Sequence, residues 1–127
     1  MMTRSFIQIS DCHIDNDKFV MGVDSQKNLS AIVSNISKHY FDALLISGDL
    51  THNGTLESYQ KLHKILNPIE SKIYMLHGNH DDLSNLNQIF NESSLCNLII
   101  GCWEVITIDS VQVGKVSGRL NDGQLHA

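Results

Sequence analysis

The sequence of 127 residues has few cysteines, a single proline and no long apolar run. Its three cysteines, Cys12, Cys96 and Cys102, form no Cys-x-x-Cys pair, which argues against a zinc knuckle. Their odd number and unrelated spacings also argue against a disulfide framework, so we expect a reducing, cytoplasmic compartment. No apolar run approaches the roughly 20 residues of a membrane-spanning helix, and the N-terminus lacks the apolar core of a signal peptide, so we expect no membrane association.

Positive charge is also scarce. The chain has 9 Lys and Arg residues against 14 Asp and Glu residues, and its formal net charge is −5 at pH 7. Non-specific nucleic-acid binding requires a cationic surface, so we expect no nucleic-acid partner. With 42% hydrophobic and 18% charged residues, the composition is that of a globular protein, and the length suits one domain over residues 1–127.

Apolar runs and amphipathic segments alternate along the chain. Strands are predicted over 5–10, 42–47 and 72–76, and helices over 25–39 and 55–66. A short helix over 83–91, strands over 97–100 and 103–109, and the start of a helix after Asn121 follow. Because crossovers between parallel strands are right-handed, the β-α-β-α-β order places the first three strands side by side. The sequence therefore predicts an α/β fold.

Three polar clusters follow the three predicted strands directly. They are Asp11-Cys12-His13, Gly48-Asp49-Leu50-Thr51-His52 and Gly78-Asn79-His80-Asp81. Asp11, Asp49 and Asn79 are separated by 49 − 11 = 38 and 79 − 49 = 30 residues, which suits successive βαβ units. Ligand sites in open α/β sheets lie at the carboxyl ends of the strands, so the three clusters are expected to meet in one crevice.

The residue types in these clusters suit divalent cations. Asp11 and His13, two positions apart, can grip one cation from the same side of the chain. Asp49 has two oxygens and can bridge two cations, and Asn79 offers an amide oxygen to the second. Two cations about 3.5–4 Å apart can activate a water molecule and clamp a phosphoryl group. A cap for the helix near residue 83 is the alternative role for Asn79.

Other side chains of the clusters are assigned supporting roles. His80 could protonate a leaving group or hold a phosphate oxygen, and Asp81 could orient His80. Cys12 alternates with its neighbours and is expected to be buried and structural. His52 is expected at the surface or in a supporting position, and His77 is expected to face away from the cations.

The three motifs together resemble those of the calcineurin-like metallophosphoesterase superfamily. The segments QISDCHI, MGVDSQKNLSAIV, LLISGDLTHNGTLESYQKL, MLHGNHDD and WEVITIDSVQVGKVSGRLNDGQL are similar to successive blocks of its class III cyclic-nucleotide phosphodiesterases, the CpdA/Icc type. The resemblance runs from residue 6 to residue 125. It implies a β-sandwich flanked by helices in four αββα layers, and hydrolysis of a small-molecule phosphodiester such as 3',5'-cyclic AMP.

The resemblance also implies the roles of individual residues. Asp11 and His13 would ligate one metal, Asp49 would bridge, Asn79 would ligate the second, and His80 would be catalytic. The two divalent ions would be iron or manganese, with zinc as the alternative. A nucleotide-sugar lipid hydrolase is the alternative substrate class, although those enzymes typically have arginine at the position of His80.

The resemblance does not extend to the motifs that the family carries in its second half. Family members carry an isolated histidine and a Gly-His-x-His motif in their second half, so we expect this chain to correspond to the N-terminal half, with a β-α-β-α-β portion and the strands that follow. An inactive remnant that binds metal weakly is the alternative function, and His52 or His126 are alternative sources of the missing imidazoles. A sheet face left uncovered would favour self-association.

Overall fold

The computed structural model describes residues 3–91 and 97–126, and Cys96 lies outside them. The elements in chain order are β1 Phe6–Ser10, α1 Ser25–Ile36, β2 Ala43–Ser47, α2 Leu56–Leu66, β3 Lys72–Leu76, α3 Leu83–Ile89, β4 Leu98–Ile100, β5 Trp103–Val105 and α4 Asp122–Leu125. The predicted alternation is confirmed, and the predicted ends differ by a few residues. The largest differences are that α1 stops at Ile36 and β5 stops at Val105.

The first three strands form one parallel sheet in the order β1-β2-β3, as the sequence predicts. The register aligns Ser10 with Ser47 and Ser47 with Leu76, so the three strands end at the same level. The polar cluster that follows each strand therefore begins at the same edge of the sheet. This alignment is the structural basis of the candidate site.

One face of the sheet packs against the helices. Alternate residues of β2, Leu44 and Ile46, are fully buried there. Leu29 and Val33 of α1 contribute to the same core, which is completed by Ile14, Phe41, Leu50, Tyr59, Leu62, Leu66, Ile69, Met75, Leu86 and Phe90. The i, i+4 spacing of Leu29 and Val33 puts both on the helix face that meets the sheet.

The opposite face is partly covered by the antiparallel pair β4–β5. Leu98 and Ile100 of β4 pack with Ala43 of β2, and Tyr74 of β3 borders this second, smaller core. β4–β5 shields the centre of this face, so the face is not left wholly uncovered. The described part of the chain thus has a helix layer, a parallel sheet and a short second β layer, which agrees with the N-terminal portion of the αββα arrangement.

Side-chain caps define where the helices begin. Asp24, Thr55 and Asp82 each accept a hydrogen bond from the backbone N–H three residues later, and Asn121 forms a reciprocal capping box with Gln124. Because Asp82 caps α3, Asn79 is free of that role. No helix in residues 3–91 and 97–126 is long and apolar enough to cross a membrane.

Candidate metal centre

The loops after β1 and β2 bend sharply at three of the predicted ligands. Asp11, His13 and Asp49 have positive φ angles of 54°, 43° and 43°. Among the described residues, Met21 is the one other non-glycine residue with a positive φ. This region is costly for residues with a side chain, and such strain concentrates at functional sites.

Backbone hydrogen bonds hold these two loops together. The N–H of Asp11 donates to Gly48 O over 3.1 Å, and the N–H of His13 donates to Asp49 O over 3.0 Å. The loops are therefore fixed as a pair, in the bent conformation that turns their side chains toward one another.

The side chains of Asp11, His13 and Asp49 meet as the sequence predicts. His13 Nε2 lies 3.7 Å from Asp49 Oδ2 and 4.0 Å from Asp11 Oδ1. One ligand atom from each of the three residues lies within 4.8 Å of the others. The Asp49 side chain is 15% exposed, whereas that of Asp11 is 65% exposed, so the group is open on the Asp11 side. Two carboxylates and an imidazole form a donor set that suits a divalent cation.

Gly78 lets the third motif approach Asp49 closely. A Cβ atom at this position would lie 2.9 Å from Asp49 Cγ and closer still to Asp49 Oδ1 and the Asp49 backbone nitrogen. The backbone N–H of His80 donates to the same Oδ1 over 3.2 Å. The Asp49 carboxylate therefore contacts the third motif through Oδ1 and lies near His13 of the first motif through Oδ2, 3.7 Å from its Nε2.

Asn79 lies at the exposed rim of this region. It lines a cavity of about 290 Å³ together with Asp11 and Asp49. His77 lines the same cavity, with its side chain only 8% exposed and its Nε2 3.6 Å from Asp109 Oδ1. We expected His77 to face away from the cations, so its position beside the ligands differs from that expectation. The ring instead lies beside Asp109, which follows β5 in the chain.

His80 is oriented by a backbone carbonyl. Its Nδ1 lies 2.8 Å from His52 O. A carbonyl oxygen can only accept, so His80 Nδ1 carries a proton and Nε2 holds the lone pair of the neutral ring. The expectation that Asp81 orients His80 is wrong, because the hydrogen bonds of Asp81 go elsewhere.

The Asp81 carboxylate joins the second motif to the third. It accepts hydrogen bonds from the backbone N–H groups of Leu50, Thr51 and Gly78 over 2.8–2.9 Å. It also accepts from the hydroxyl of Thr51 and from that of Tyr59, whose pKa is raised by burial. A carboxylate that satisfies so many donors fixes the two loops against each other.

His52 is the residue whose position the sequence reasoning underestimated. Its Nδ1 lies 3.4 Å from His13 Nδ1, and its ring centroid lies 4.9 Å from that of His80. The available signal was its place within the second motif, three residues after Asp49. His126, the other alternative imidazole, is exposed and lies in neither of the ligand clusters found among the described residues.

Cys12 was expected to be buried, and the structure shows it partly buried in a structural position. It packs against the main core, and burial is the largest cause that raises the pKa of its thiol to about 12. The nearby carboxylates of Asp81 and Asp11 raise this pKa further. The thiolate is the form that binds metals, so this side chain is a poor ligand at neutral pH.

Fold and site together define an α/β protein with carboxylate, amide and imidazole groups gathered at the carboxyl edge of a parallel sheet. The chain belongs to the calcineurin-like phosphoesterase family, whose model matches residues 4–124. Enzymes of this family are metal-dependent phosphoesterases, which agrees with the possible His/Asp metal site.

Several relatives that the chain resembles are named cyclic nucleotide phosphodiesterases. The chain is 49% identical over 125 residues to a "Probable cyclic nucleotide phosphodiesterase" of Ruthia magnifica, and 48% identical over 124 residues to one of Vesicomyosocius okutanii; each match covers 98% of this chain and 53% of the relative. It is 29% identical to the 3',5'-cyclic adenosine monophosphate phosphodiesterase CpdA of Pseudomonas aeruginosa, over 94% of this chain and 46% of the relative. The chain thus spans about half the length of these curated relatives.

Proposed function

We propose that this chain supplies the N-terminal part of a metal-dependent phosphodiesterase, with Asp11, His13, Asp49 and Asn79 as metal ligands and His80 as a catalytic residue. The observation that supports this most is the meeting of Asp11, His13 and Asp49 within 4.8 Å at one edge of the sheet. Relatives similar to the chain in sequence are named cyclic nucleotide phosphodiesterases, which favours a 3',5'-cyclic nucleotide as substrate.

The described side chains provide more ligands for one cation than for a second. Asp11, His13 and Asp49 are close enough for one divalent cation, with two negative charges to neutralise it. For a second cation, the proposed donors are Asp49 and the exposed Asn79, which both line the cavity of about 290 Å³. We therefore propose that the isolated chain holds one cation well and a second only weakly. Iron or manganese suits the carboxylate oxygens, and zinc is the alternative.

When bound, divalent cations would polarise the phosphoryl oxygens and lower the pKa of a water molecule. The chain's own contribution is to hold groups in place around that chemistry. Asp49, fixed between Gly78 and the His80 backbone, would balance the positive charge. The pair of bent loops would keep Asp11 and His13 aimed at the same point.

His80 would handle a proton at Nε2. Because Nδ1 donates to the His52 carbonyl, Nε2 is the nitrogen that can accept a proton and return it to a leaving oxygen. The phosphodiester would bind in the cavity of about 290 Å³ lined by Asp49 and Asn79. We also propose a cytoplasmic location, supported by Cys12 and Cys102, which are free thiols as a reducing compartment keeps them.

The test compares Asp49→Asn with Asp17→Asn in the 127-residue chain. Asp17 is an exposed loop aspartate, so its substitution removes the same charge away from the site. Mn²⁺ affinity is measured by calorimetry, and hydrolysis of 3',5'-cyclic AMP and bis-p-nitrophenyl phosphate is measured in a fusion of the chain with the remaining half of the Ruthia magnifica relative, of which the chain matches 53%. We expect Asp49→Asn to weaken Mn²⁺ binding at least about tenfold, equivalent to ~1.4 kcal/mol.

The same substitution should abolish turnover in the fusion protein, since an amide cannot balance the charge of two cations. Asp17→Asn should resemble the wild type in both assays. Equal Mn²⁺ affinity for the two variants would refute the metal-ligand assignment. Metal binding without turnover of either phosphodiester would favour the alternative, an inactive metal-binding remnant.

A further inference from the structure

Three imidazoles meet beside the carboxylate cluster. His13, His52 and His80 each offer one ring nitrogen within 4.8 Å of the others. The ring centroids are separated by 5.5 Å between His13 and His52, by 5.1 Å between His13 and His80, and by 4.9 Å between His52 and His80. The proposed phosphodiesterase mechanism uses His13 and His80 separately and gives the side chain of His52 no role.

The spacing of these rings matches a tetrahedral metal site. Two imidazole nitrogens bound to one zinc at about 2.0–2.1 Å lie about 3.3–3.4 Å apart at the tetrahedral angle. His13 Nδ1 and His52 Nδ1 are 3.4 Å apart, which is longer than most hydrogen bonds that an N–H group donates. Rings extended outward from such a zinc would have centroids about 5.2 Å apart, close to the 5.5 Å and 5.1 Å that separate His13 from the other two rings. The His52 and His80 rings are stacked with planes 22° apart, so one of them has to rotate for both to bind the same ion.

Hydrogen bonds leave suitable lone pairs on these rings. The proton on His80 Nδ1 is fixed by the His52 carbonyl, so Nε2 is free to bind a cation. His13 presents Nδ1 to His52, while its Nε2 faces Asp49 Oδ2 at 3.7 Å. A proton on Nε2 would therefore point at a carboxylate. Zinc-bound histidines commonly have such a carboxylate partner on the second ring nitrogen.

We propose that His13, His52 and His80 form a second cation site, selective for borderline ions such as Zn²⁺, with a water molecule in the fourth position. Imidazole ligands favour Zn²⁺, Ni²⁺ and Cu²⁺, whereas Mn²⁺ and Mg²⁺ favour oxygen. The adjoining Asp11–His13–Asp49 group has two carboxylates and thus prefers the harder ions. The two neighbouring sites differ in chemistry.

The two sites exclude each other through His13. A neutral imidazole has one lone pair, and the carboxylate group would use it on Nε2, whereas the three-imidazole site uses it on Nδ1. Zn²⁺ bound by the three histidines therefore withdraws His13 from the carboxylate site and removes His80 Nε2 from proton transfer. The three-imidazole site would act as an inhibitory zinc site.

The experiment compares Zn²⁺ binding to the wild-type chain, His52→Ala, His52→Gln and the control His39→Ala. His39 is exposed and lies after α1, away from the site. Zn²⁺ affinity is measured by competition with a chelating dye, and Co²⁺ serves as an optical probe, since tetrahedral Co²⁺ absorbs visible light far more strongly than octahedral Co²⁺. Release of Mn²⁺ by Zn²⁺ is followed by electron paramagnetic resonance, and circular dichroism confirms that each variant is folded.

We expect both His52 variants to bind Zn²⁺ at least ~100-fold more weakly than the wild type. Loss of a hydrogen-bond partner of a metal ligand already lowers the affinity about 10–100-fold, and here a direct ligand is lost. They should also lose the intense Co²⁺ bands, while His39→Ala keeps them. Zn²⁺ affinity of His52→Gln equal to that of His39→Ala would overturn the proposal, as would Co²⁺ spectra of octahedral type in the wild type. If Mn²⁺ fails to bind while the Zn²⁺ result holds, the phosphodiesterase metal centre is refuted and the imidazole site stands.

Discussion

Gly78 offers a sharp test of how the site is assembled, through the substitution Gly78→Ala. The new Cβ would lie 2.9 Å from Asp49 Cγ and closer to two other atoms of Asp49, one of which is its backbone nitrogen. Carbon atoms normally approach to about 3.5–4.0 Å, so the second and third motifs would have to separate by roughly 0.6 Å or more. The backbone nitrogen cannot rotate away, and the shift must therefore move the whole loop.

The expected cost combines two effects. Overpacking of this kind costs about 1–3 kcal/mol. The separation also weakens the hydrogen bond from the His80 N–H to Asp49 Oδ1, which measures 3.2 Å, and a bond to a charged acceptor contributes about 1.5–3 kcal/mol. We therefore expect Gly78→Ala to lower the free energy of unfolding by about 2–4 kcal/mol. Since domains of this size are stable by about 5–15 kcal/mol, the variant should still fold.

Urea denaturation and Mn²⁺ calorimetry measure the two consequences. The control is Gly123→Ala, because a Cβ at Gly123 would meet only the Asn121 side-chain oxygen, at 3.3 Å. Mn²⁺ affinity should fall about 10–100-fold in Gly78→Ala, as it does when a partner of a metal ligand is displaced, and should be unchanged in the control. If Gly78→Ala and Gly123→Ala unfold at the same urea concentration, the close approach to Asp49 is not a constraint and the argument fails.

Three further outcomes are expected. Asp81→Asn should lower the free energy of unfolding, measured in urea, by at least about 2 kcal/mol. The donors now bind two carboxylate oxygens, whereas an amide offers a single acceptor oxygen. A loss of stability no larger than that of Asp17→Asn would contradict this. The Ser5 backbone N–H and the Arg4 guanidinium hold the pKa of Asp42 below its usual range, so its stabilising effect is present near neutral pH and is lost as the pH falls through that lowered pKa. The melting temperature of Asp42→Asn should therefore fall less steeply on acidification than that of the wild type. An equal fall in the two melting temperatures would exclude the effect. Trp103 is 73% exposed, and we expect the 127-residue chain to self-associate in sedimentation experiments. Trp103→Glu should reduce this self-association. A wild-type chain that remains monomeric at all concentrations would refute the prediction.

The sheet and the meeting of the three motifs could be predicted because both follow from local patterns and simple topology. The apolar run of β2, Ala43–Ser47, is buried on both faces, as expected for a central parallel strand. Right-handed crossovers then leave one neighbour on each side, and the register ends the three strands at the same level. Once the strand ends coincide, Asp11, His13 and Asp49 must lie close together.

The supporting contacts could not be predicted, because they depend on conformations that strand periodicity does not describe. Alternation along an extended strand predicted that Asp11 and His13 point the same way, yet both residues have positive φ angles and act from a bent loop. The same bend turns His13 Nδ1 toward His52, a residue 39 positions away. The position of His77 beside Asp109 likewise depends on where the chain runs after β5.

Asp81 shows how the second and third motifs are held against each other. Its two oxygens accept the backbone N–H groups of Leu50 and Thr51 from the second motif and that of Gly78 from the third. These donors would otherwise be unpaired at the end of the sheet, where strand partners stop, and leaving such groups unpaired in the interior costs about 1–3 kcal/mol each. Zinc fingers, by contrast, need the metal to fold. Here the bonds to Asp81 join the second and third motifs through protein groups, so a bound cation is not the sole link between these two loops.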